Sequence, residues 1–426
     1  MSDGMSKIDL SKIKKTQVPD SIHFVWIGDL NEVNTSYIDI WKRTNKDKEI
    51  FFWYSKDASL CNFLHNSIRD FVKLKERKNK INAELKIKNA AFNYIYPRIK
   101  EGFNFDELVI EFLMENGIPY QRQPLIIEDS WFEKNNFIKK NVAELFLNDF
   151  DDFIRYYYYE VILRCNLASA SDIVRLLVIY QYGGVYIDVD TLPYTDHIYQ
   201  RLNKFIEREG IIENDSFLLF KTKLILKEIY SDPPLFENIL NYNENDAGLD
   251  IIRFKEIKRL IELDIADFSL DKILPLGKLY VHENLLALGT LRRFKGIYFN
   301  NFISSHPKSR AIKIILITMK KRYRFLEKNN CIFEFYIHNN KPDCYMTRIL
   351  TWRTELITQD YHVTSALTGP GLIIEVLLGL AYDVFKLGDL VEPSSLAEHM
   401  QNDEFGIALF QHNIYTPDGV YSTWRK

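Results

Sequence analysis

The segment Gly183-Gly184-Val185-Tyr186-Ile187-Asp188-Val189-Asp190 restricts the folding of this chain more than any other. Two glycines break the preceding segment, a β-branched apolar run follows, and two carboxylates one residue apart close it. Side chains at i and i+2 of a strand point to one face, so Tyr186, Asp188 and Asp190 are expected on the same side. Two acids aimed the same way where a strand meets a loop repel each other unless a cation lies between or beside them. The expectation is a divalent metal site held by Asp188 and Asp190 at the end of a strand.

The amphipathic stretch Ser169 to Tyr182 predicts a helix that Gly183 and Gly184 terminate. On it Asp172 and Arg175 stand three residues apart and share a face. Taken alone, such a pair reads as an exposed ion pair of small worth. The acidic strand that follows favours a common pocket instead, with Asp172 accepting from ligand hydroxyls and Arg175 donating to a ligand oxygen. Upstream, Ser21 to Gly28 and Glu49 to Tyr54 read as strands covered on both faces, and Val33 to Arg43 between them has helical spacing. Strand, helix, strand opens a nucleotide-binding sheet of the α/β class. Two long stretches, near 59–164 and 195–271, read as helical insertions, the second containing a polar break at Asn241 to Asp246, and a further helix is expected from Ser309 to Glu327. With no repeat and no long Pro/Gly linker, the expected organisation is a leader over 1–20 and one elaborated domain over 21–426.

A formal net charge of -3 lacks the basic excess of a general nucleic-acid binder. The 25 tyrosines and 29 phenylalanines suit an aromatic core with stacking surfaces. Cys61, Cys165, Cys331 and Cys344 are scattered with no CxxC pair, so neither a disulfide scaffold nor a structural zinc site is expected, and a reducing compartment is compatible. Met1 to Lys15 has no continuous apolar segment of the kind a secretory signal needs. Leu372 to Phe385, the most apolar later stretch, carries Glu375 and Asp383 and falls short of the roughly 20 residues that span a bilayer. A soluble protein with no transmembrane segment is expected.

Ala170-Ser171-Asp172-Ile173-Val174-Arg175, followed by Gly183 to Asp190 and Leu192-Pro193, closely resembles the DxD core of the large clostridial toxin glucosyltransferase domains. It is similar, more loosely, to the DxD sugar-transferase family that includes the fungal initiating mannosyltransferases. His23-Phe24-Val25-Trp26-Ile27-Gly28 resembles the toxin family's first strand, and the resemblance puts Val25 and Trp26 at the donor, with the Trp26 ring stacked on its uracil. Tyr421-Ser422-Thr423-Trp424 resembles the flexible segment that closes over the donor, which would bring Ser422 to the metal and the Trp424 indole N–H to the β-phosphate side. The family's acidic metal ligand just before that serine has no counterpart here, since Gly419 stands three residues before Ser422; Asp418 or His412 could substitute. Gly296 to Pro307 resembles the segment whose asparagine meets the donor sugar, with Asn300 favoured over Asn301. Leu367-Thr368-Gly369-Pro370-Gly371 resembles a family Gly-Pro turn, but helix punctuation explains it fully and no catalytic role is assigned to it.

The resemblance implies a GT-A type mixed sheet with large helical insertions and a retaining transferase that moves a hexose from a UDP-sugar to a hydroxyl acceptor. Glucose is favoured over N-acetylglucosamine because Phe299 and Asn301 are not small. Mn²⁺ or Mg²⁺ would neutralise the leaving diphosphate. Asp190 would ligate it directly and Asp188 would reach it through water, with Ser422 also at the metal. Asp172 and Arg175 would orient the sugar, Tyr186 would pack along the ribose, and same-face attack would be assisted by the leaving phosphate. The acceptor is open: a host protein, for an effector delivered from the bacterial cytoplasm into a host cytosol, or a bacterial surface glycan. About 20 residues precede the first strand, too few for the family's membrane-targeting bundle of helices averaging about 11 residues each. Two other classes use or retain the same acids: a metal-dependent phosphoryl-transfer hydrolase, and a non-catalytic binding module.

Overall fold

Apolar strands need cover on both faces, and the helices of this chain supply it. The computed structural model describes residues 14–33, 35–55, 58–76, 78–120, 128–135, 137–146, 150–213, 215–230, 250–266, 268–290, 295–334, 345–355, 362–401 and 408–409. Strand β1 (Lys15–Gln17) is followed by β2 (Ser21–Ile27), helix α1 (Thr35–Thr44) and β3 (Glu49–Ser55), the expected strand-helix-strand unit. Helices α2 (Cys61–Lys75), α3 (Lys80–Lys100), α4 (Phe105–Glu115) and α5 (Glu128–Asn135) then precede β4 (Ile138–Asn141). Helix α6 (Asp152–Tyr158) runs into a π-helical turn, Tyr159–Arg164, before α7 (Leu167–Tyr182) and β5 (Gly184–Ile187). Helices α8 (Gln200–Glu209), α9 (Asp215–Ile229) and Ile251–Ile265 fill the second insertion. Strands β6 (Tyr280–His282), β7 (Leu286–Thr290), β8 (Tyr298–Ser305) and β9 (Ala408–Leu409) complete the set, with the helix Arg310–Lys328 after β8.

Among the described residues the main sheet has seven strands in the order β4-β3-β2-β5-β8-β7-β9, and β1 pairs with β6 in a separate ribbon. The β2, β3, β4 and β5 pairings are parallel, whereas β8 runs antiparallel to both β5 and β7, so the sheet is mixed. The chain leaves β2 for β3 on one side and later returns to β5 on the other. That makes the carboxyl ends of β2 and β5 the topological switch point, where open α/β sheets place ligands.

The alternation of side chains divides the core. Ile22, Phe24, Val185 and Ile187 join Ile38 and Trp41 of α1 on one face. Val25, Trp53 and Tyr186 join the buried side of α7 on the other. Helix α7 is buried along most of its length because it sits between the sheet and the helix Arg310–Lys328.

Two expectations change. The stretch read as a helical insertion over 59–164 contains β4, whose sequence IKKN is mostly exposed at the sheet's edge and so gives no apolar signal. The acidic strand ends at Ile187, so Asp190 is placed by a turn in which the Thr191 amide donates to the Asp188 carbonyl at 3.0 Å, not by strand alternation. The polar break Asn241 to Asp246 lies outside the described residues. The apolar stretch Leu372 to Phe385 belongs to the helix Pro370–Phe385, and no described helix is long and apolar enough to cross a membrane.

The turn into β5 depends on its glycines. Gly184 has φ +80°, and a Cβ there would lie 2.7 Å from the Ser21 carbonyl oxygen and 2.2 Å from Ser21 Oγ. Backbone cannot yield as a side chain tip does, so Gly184→Ala is expected to cost about 2–3 kcal/mol. A urea titration would show a lower midpoint at unchanged slope.

His23 of β2 is wholly buried, with Nδ1 accepting from Trp53 Nε1 at 3.1 Å and Nε2 lying 3.1 Å from Ser21 Oγ. Trp53 can only donate, so the ring is neutral with its proton on Nε2. Burial holds its pKa down to about 3, against 6.5 for the unfolded chain. The unfolded state therefore binds the extra proton between those values, and this stability is complete above pH 6.5 and is lost as pH falls towards 3. At pH 5 the loss is about 2 kcal/mol. His23→Gln should flatten the acid limb of a stability-against-pH profile between pH 6.5 and 4, which urea midpoints at stepped pH would measure.

Candidate active site

The site is organised around α7, whose amino end is fixed before its functional residues appear. The Asn166 side chain accepts from the Ser169 amide at 3.0 Å, the N-cap that starts the helix. Its Nδ2 donates to Thr364 Oγ1 at 2.8 Å, tying the cap to the helix His362–Leu367. Just before it, Arg164 lies between Glu160, at 2.7 Å, and Glu355. Tyr323 Oη and Trp352 Nε1 donate to Glu160 at 2.6 and 2.8 Å, so these buried charges are compensated.

Two turns along, Asp172 and Arg175 both point at the sheet and are 6% exposed, which excludes the reading as a solvated surface pair. Arg175 Nη1 lies 3.1 Å from Asp188 Oδ1 and donates to the Asn300 carbonyl at 2.8 Å, while Nη2 lies 3.4 Å from Asp172 Oδ1. Its guanidinium carbon sits 4.6 Å from the Tyr186 ring centroid. Burial works against this charge, yet the neighbouring Asp188, Tyr186, Asp172 and Asp190 hold it firmly protonated.

Asp172 is satisfied from three directions: Oδ1 takes Asn300 Nδ2 at 2.8 Å as well as Arg175, and Oδ2 takes the Thr368 hydroxyl at 2.9 Å. A carboxylate has about four acceptor positions, so roughly one remains for a ligand hydroxyl. Burial lifts its pKa to about 6, only partly offset by Arg175 and Thr368.

Asp188 stands half-buried beyond β5, its Oδ1 accepting from Tyr186 Oη. Among the described residues the hydrogen bond and ion pair that Asp188 makes both use Oδ1, leaving Oδ2 open to a ligand. Asn300 reaches Asp172 because β8 is irregular opposite β7, where the register shifts from Leu288–Ile303 to Gly289–Phe299. Asn301 points elsewhere: its Nδ2 donates to Thr191 Oγ1 at 3.3 Å, and its Oδ1 is buried with no partner among the described residues. Trp26 and Val189 pack on the α1 side of the sheet, opposite Tyr186. Trp26 is half-buried, with its Nε1 donating to the Asp29 carbonyl at 2.9 Å, and Val25 is buried beside it on the α7 side. A ligand reaching both Trp26 and Asp188 must therefore lie across the strand ends.

The carboxylates of Asp172, Asp188 and Asp190 offer oxygen donors, the ligand type that suits Mn²⁺ or Mg²⁺. Asp418, His412, Ser422 and Trp424 lie outside the described residues. Thr368 is the residue that the sequence reading passed over: its turn, explained there as helix punctuation, bonds directly to Asp172 and, at 2.9 Å, to Ser169 Oγ.

The family model described as the TcdA/TcdB catalytic glycosyltransferase domain matches residues 20–369. Curated relatives include Cytotoxin-L of Paraclostridium sordellii, 26% identical over 417 residues that take in 86% of this chain and 17% of that protein. Toxin A of Clostridium novyi is 26% identical over 358 residues, 77% of this chain and 15% of that protein. The chain thus spans under a fifth of the length of these relatives. The solved catalytic domain of alpha-toxin from Clostridium novyi superposes with a TM-score of 0.72 at 18% identity, covering 96% of this chain and 80% of that one. The UDP-bound glycosyltransferase domain of the YGT toxin gives 0.61 at 17% identity, covering 96% and 82%. At these identities the superpositions establish the fold, a GT-A-like mixed sheet with helical insertions.

Arg175→Met would leave Asp172 and Asp188 without their shared cation and is expected to cost about 3–5 kcal/mol. Asp172→Asn should cost less than about 1.5 kcal/mol, because burial already favours the neutral acid and the Thr368 hydroxyl can accept as readily as it donates. Denaturant titrations of the two variants side by side would show the asymmetry.

Proposed function

Because the chain belongs to the TcdA/TcdB catalytic glycosyltransferase domain family, we propose that this glycosyltransferase moves a hexose, glucose before N-acetylglucosamine, from a UDP-sugar to a hydroxyl acceptor. One observation carries the proposal: Asp172, Arg175, Asp188 and Asn300, from three separate elements, form one bonded cluster at the sheet's switch point. The solved YGT toxin domain, UDP-bound and of the same fold, supports a UDP-sugar as donor.

Trp26, at the carboxyl end of β2, would stack on the uracil, with Val25 beside it and Tyr186 along the ribose. Asp188, through water, and Asp190, directly, would hold Mn²⁺ or Mg²⁺ with Ser422, and Asp418 or His412 would complete the protein ligands. When bound, the ion supplies charge neutralisation for the departing diphosphate. Arg175 fixes the Asp188 carboxylate and the Asn300 backbone, and its Nη2 braces Asp172. Asp172 then offers its remaining acceptor position to a sugar hydroxyl, and Asn300, bonded to it, would read the same sugar edge. Trp424 would donate to the β-phosphate side, excluding water as the chain closes. Attack on the same face as the leaving group retains the anomeric configuration, with the acceptor's proton passing to the leaving phosphate oxygen. The relatives are named as toxins, which favours an acceptor hydroxyl on a host protein, reached in the host cytosol, over a bacterial glycan.

The test incubates the protein with Mn²⁺ and a panel of UDP- and GDP-sugars and scores free sugar released without acceptor. One UDP-hexose should be preferred. Asp190→Asn should lose at least ~100-fold in turnover, and Trp26→Ala should weaken UDP binding by roughly 1–3 kcal/mol, about 5- to 150-fold in Kd. Failure with every donor would sink the proposal. Turnover intact in Trp424→Ala would point to phosphoryl-transfer hydrolysis instead.

A further inference from the structure

Cys61 and Cys165, 104 positions apart, stand with their sulfurs 3.5 Å apart, Cys165 being the residue before the Asn166 cap of α7. Cys61 and His65 occupy consecutive turns of α2 and share a face. Cys165 follows the π-helical turn in a left-handed conformation, φ 56°, which directs its side chain back towards α2. One ligand atom from each of Cys61, His65 and Cys165 lies within 4.8 Å of the other two.

The spacing excludes a disulfide and is compatible with a shared metal ion. A disulfide needs its sulfurs at about 2.05 Å. A tetrahedral zinc ion with Zn–S bonds of about 2.3 Å separates two thiolates by roughly 3.8 Å. The observed 3.5 Å is a thiol–thiol hydrogen-bond contact, with Cys61 Sγ also donating to the Val161 carbonyl at 3.2 Å, and an opening of a few tenths of an ångström would bring the sulfurs to the second value.

His65 is prepared for the same role. Its Nε2 lies 2.9 Å from the Val161 carbonyl, which can only accept, so the ring's proton is there and Nδ1 carries a lone pair. The ring is 1% exposed, and Nδ1 has no hydrogen-bond partner among the described residues. An imidazole whose second nitrogen donates to a backbone carbonyl is the arrangement that metal-bound histidines adopt. Cys165 is only partly buried, with Asn62 Oδ1 3.3 Å from its sulfur, so a fourth donor can come from that amide or from water.

We propose that Cys61, His65 and Cys165 bind a thiophilic divalent cation, Zn²⁺, which clips α2 to the residue that precedes the Asn166 cap of α7. Binding replaces the thiol protons, so two protons leave as two Zn–S bonds form. The clip closes a loop of roughly a hundred residues, where the gain from removing chain entropy is large.

The experiment titrates Co²⁺ into the reduced, chelator-stripped full chain and follows its absorption spectrum. The expected result is one equivalent bound with the strong visible bands of a tetrahedral site and a near-ultraviolet thiolate-to-cobalt charge-transfer band, both erased by Zn²⁺. The charge-transfer band separates this site from the carboxylates, so Asp190→Asn should leave it unchanged. Cys165→Ser should weaken binding at least ~10-fold and reduce that band, and His65→Gln should weaken binding alike, with circular dichroism checking the fold of each. Absence of the band in the wild-type chain overturns the proposal, even if neither variant folds. So does a band that survives Cys165→Ser undiminished, or metal-free protein isolated with the two sulfurs joined.

Discussion

A single guanidinium holds three elements of this protein in register. Arg175 is carried by α7, meets Asp188 beyond β5, and donates to the backbone of β8 at Asn300. Without a cation there, two buried or half-buried carboxylates would face each other across a low-dielectric gap, and the strand ends could not approach. The planar fork explains the residue type: an ammonium could not serve Asp172 and Asp188 from separate nitrogens while its carbon lies against Tyr186. Fold and proposed site are therefore the same object at this point, since the contacts that join helix to sheet are also those that hold Asp172, Asp188 and Asn300 together.

Arg175 can act in this way only because α7 arrives at a fixed height and rotation. Its amino end is fastened by the Asn166 cap and by the neighbouring group of Arg164, Glu160 and Glu355. Its carboxyl end is stopped by Gly183 and Gly184, where any side chain would strike Pro307 or Ser21. Buried charges of this kind are poor sources of net stability compared with apolar packing, but each partner is costly to remove alone. The helix is thus positioned by groups that tolerate little displacement.

The parts of this arrangement that were legible in the sequence are those governed by local periodicity. The apolar runs of β2 and β3, the helix ending at Gly183, and the three-residue spacing of Asp172 and Arg175 follow from strand and helix geometry. The resemblance in the acidic strand and the Trp26 segment led to the same family as the comparison over residues 20–369. What the sequence hid depends on tertiary contact or on broken periodicity. β4 is polar because it lies at an edge, and Asp190 leaves the strand pattern because a turn intervenes. Asn300 and Asn301 could not be ranked by alternation because the register of β8 shifts beside them. Thr368 lies 196 positions from Asp172, in a turn that glycine and proline explain without reference to any site. Likewise, the cysteines look scattered along the chain, yet two of them meet beside His65.

The two carboxylates of the acidic segment, so alike in sequence, have different mechanical standing. Asp188 follows directly on β5 with its amide donating to the Asn301 carbonyl of β8 at 2.9 Å, whereas Asp190 is reached through the turn that the Thr191 amide closes on the Asp188 carbonyl. A pair built this way hangs one carboxylate from the sheet and the other from a turn, so a change in the turn alone would alter their separation.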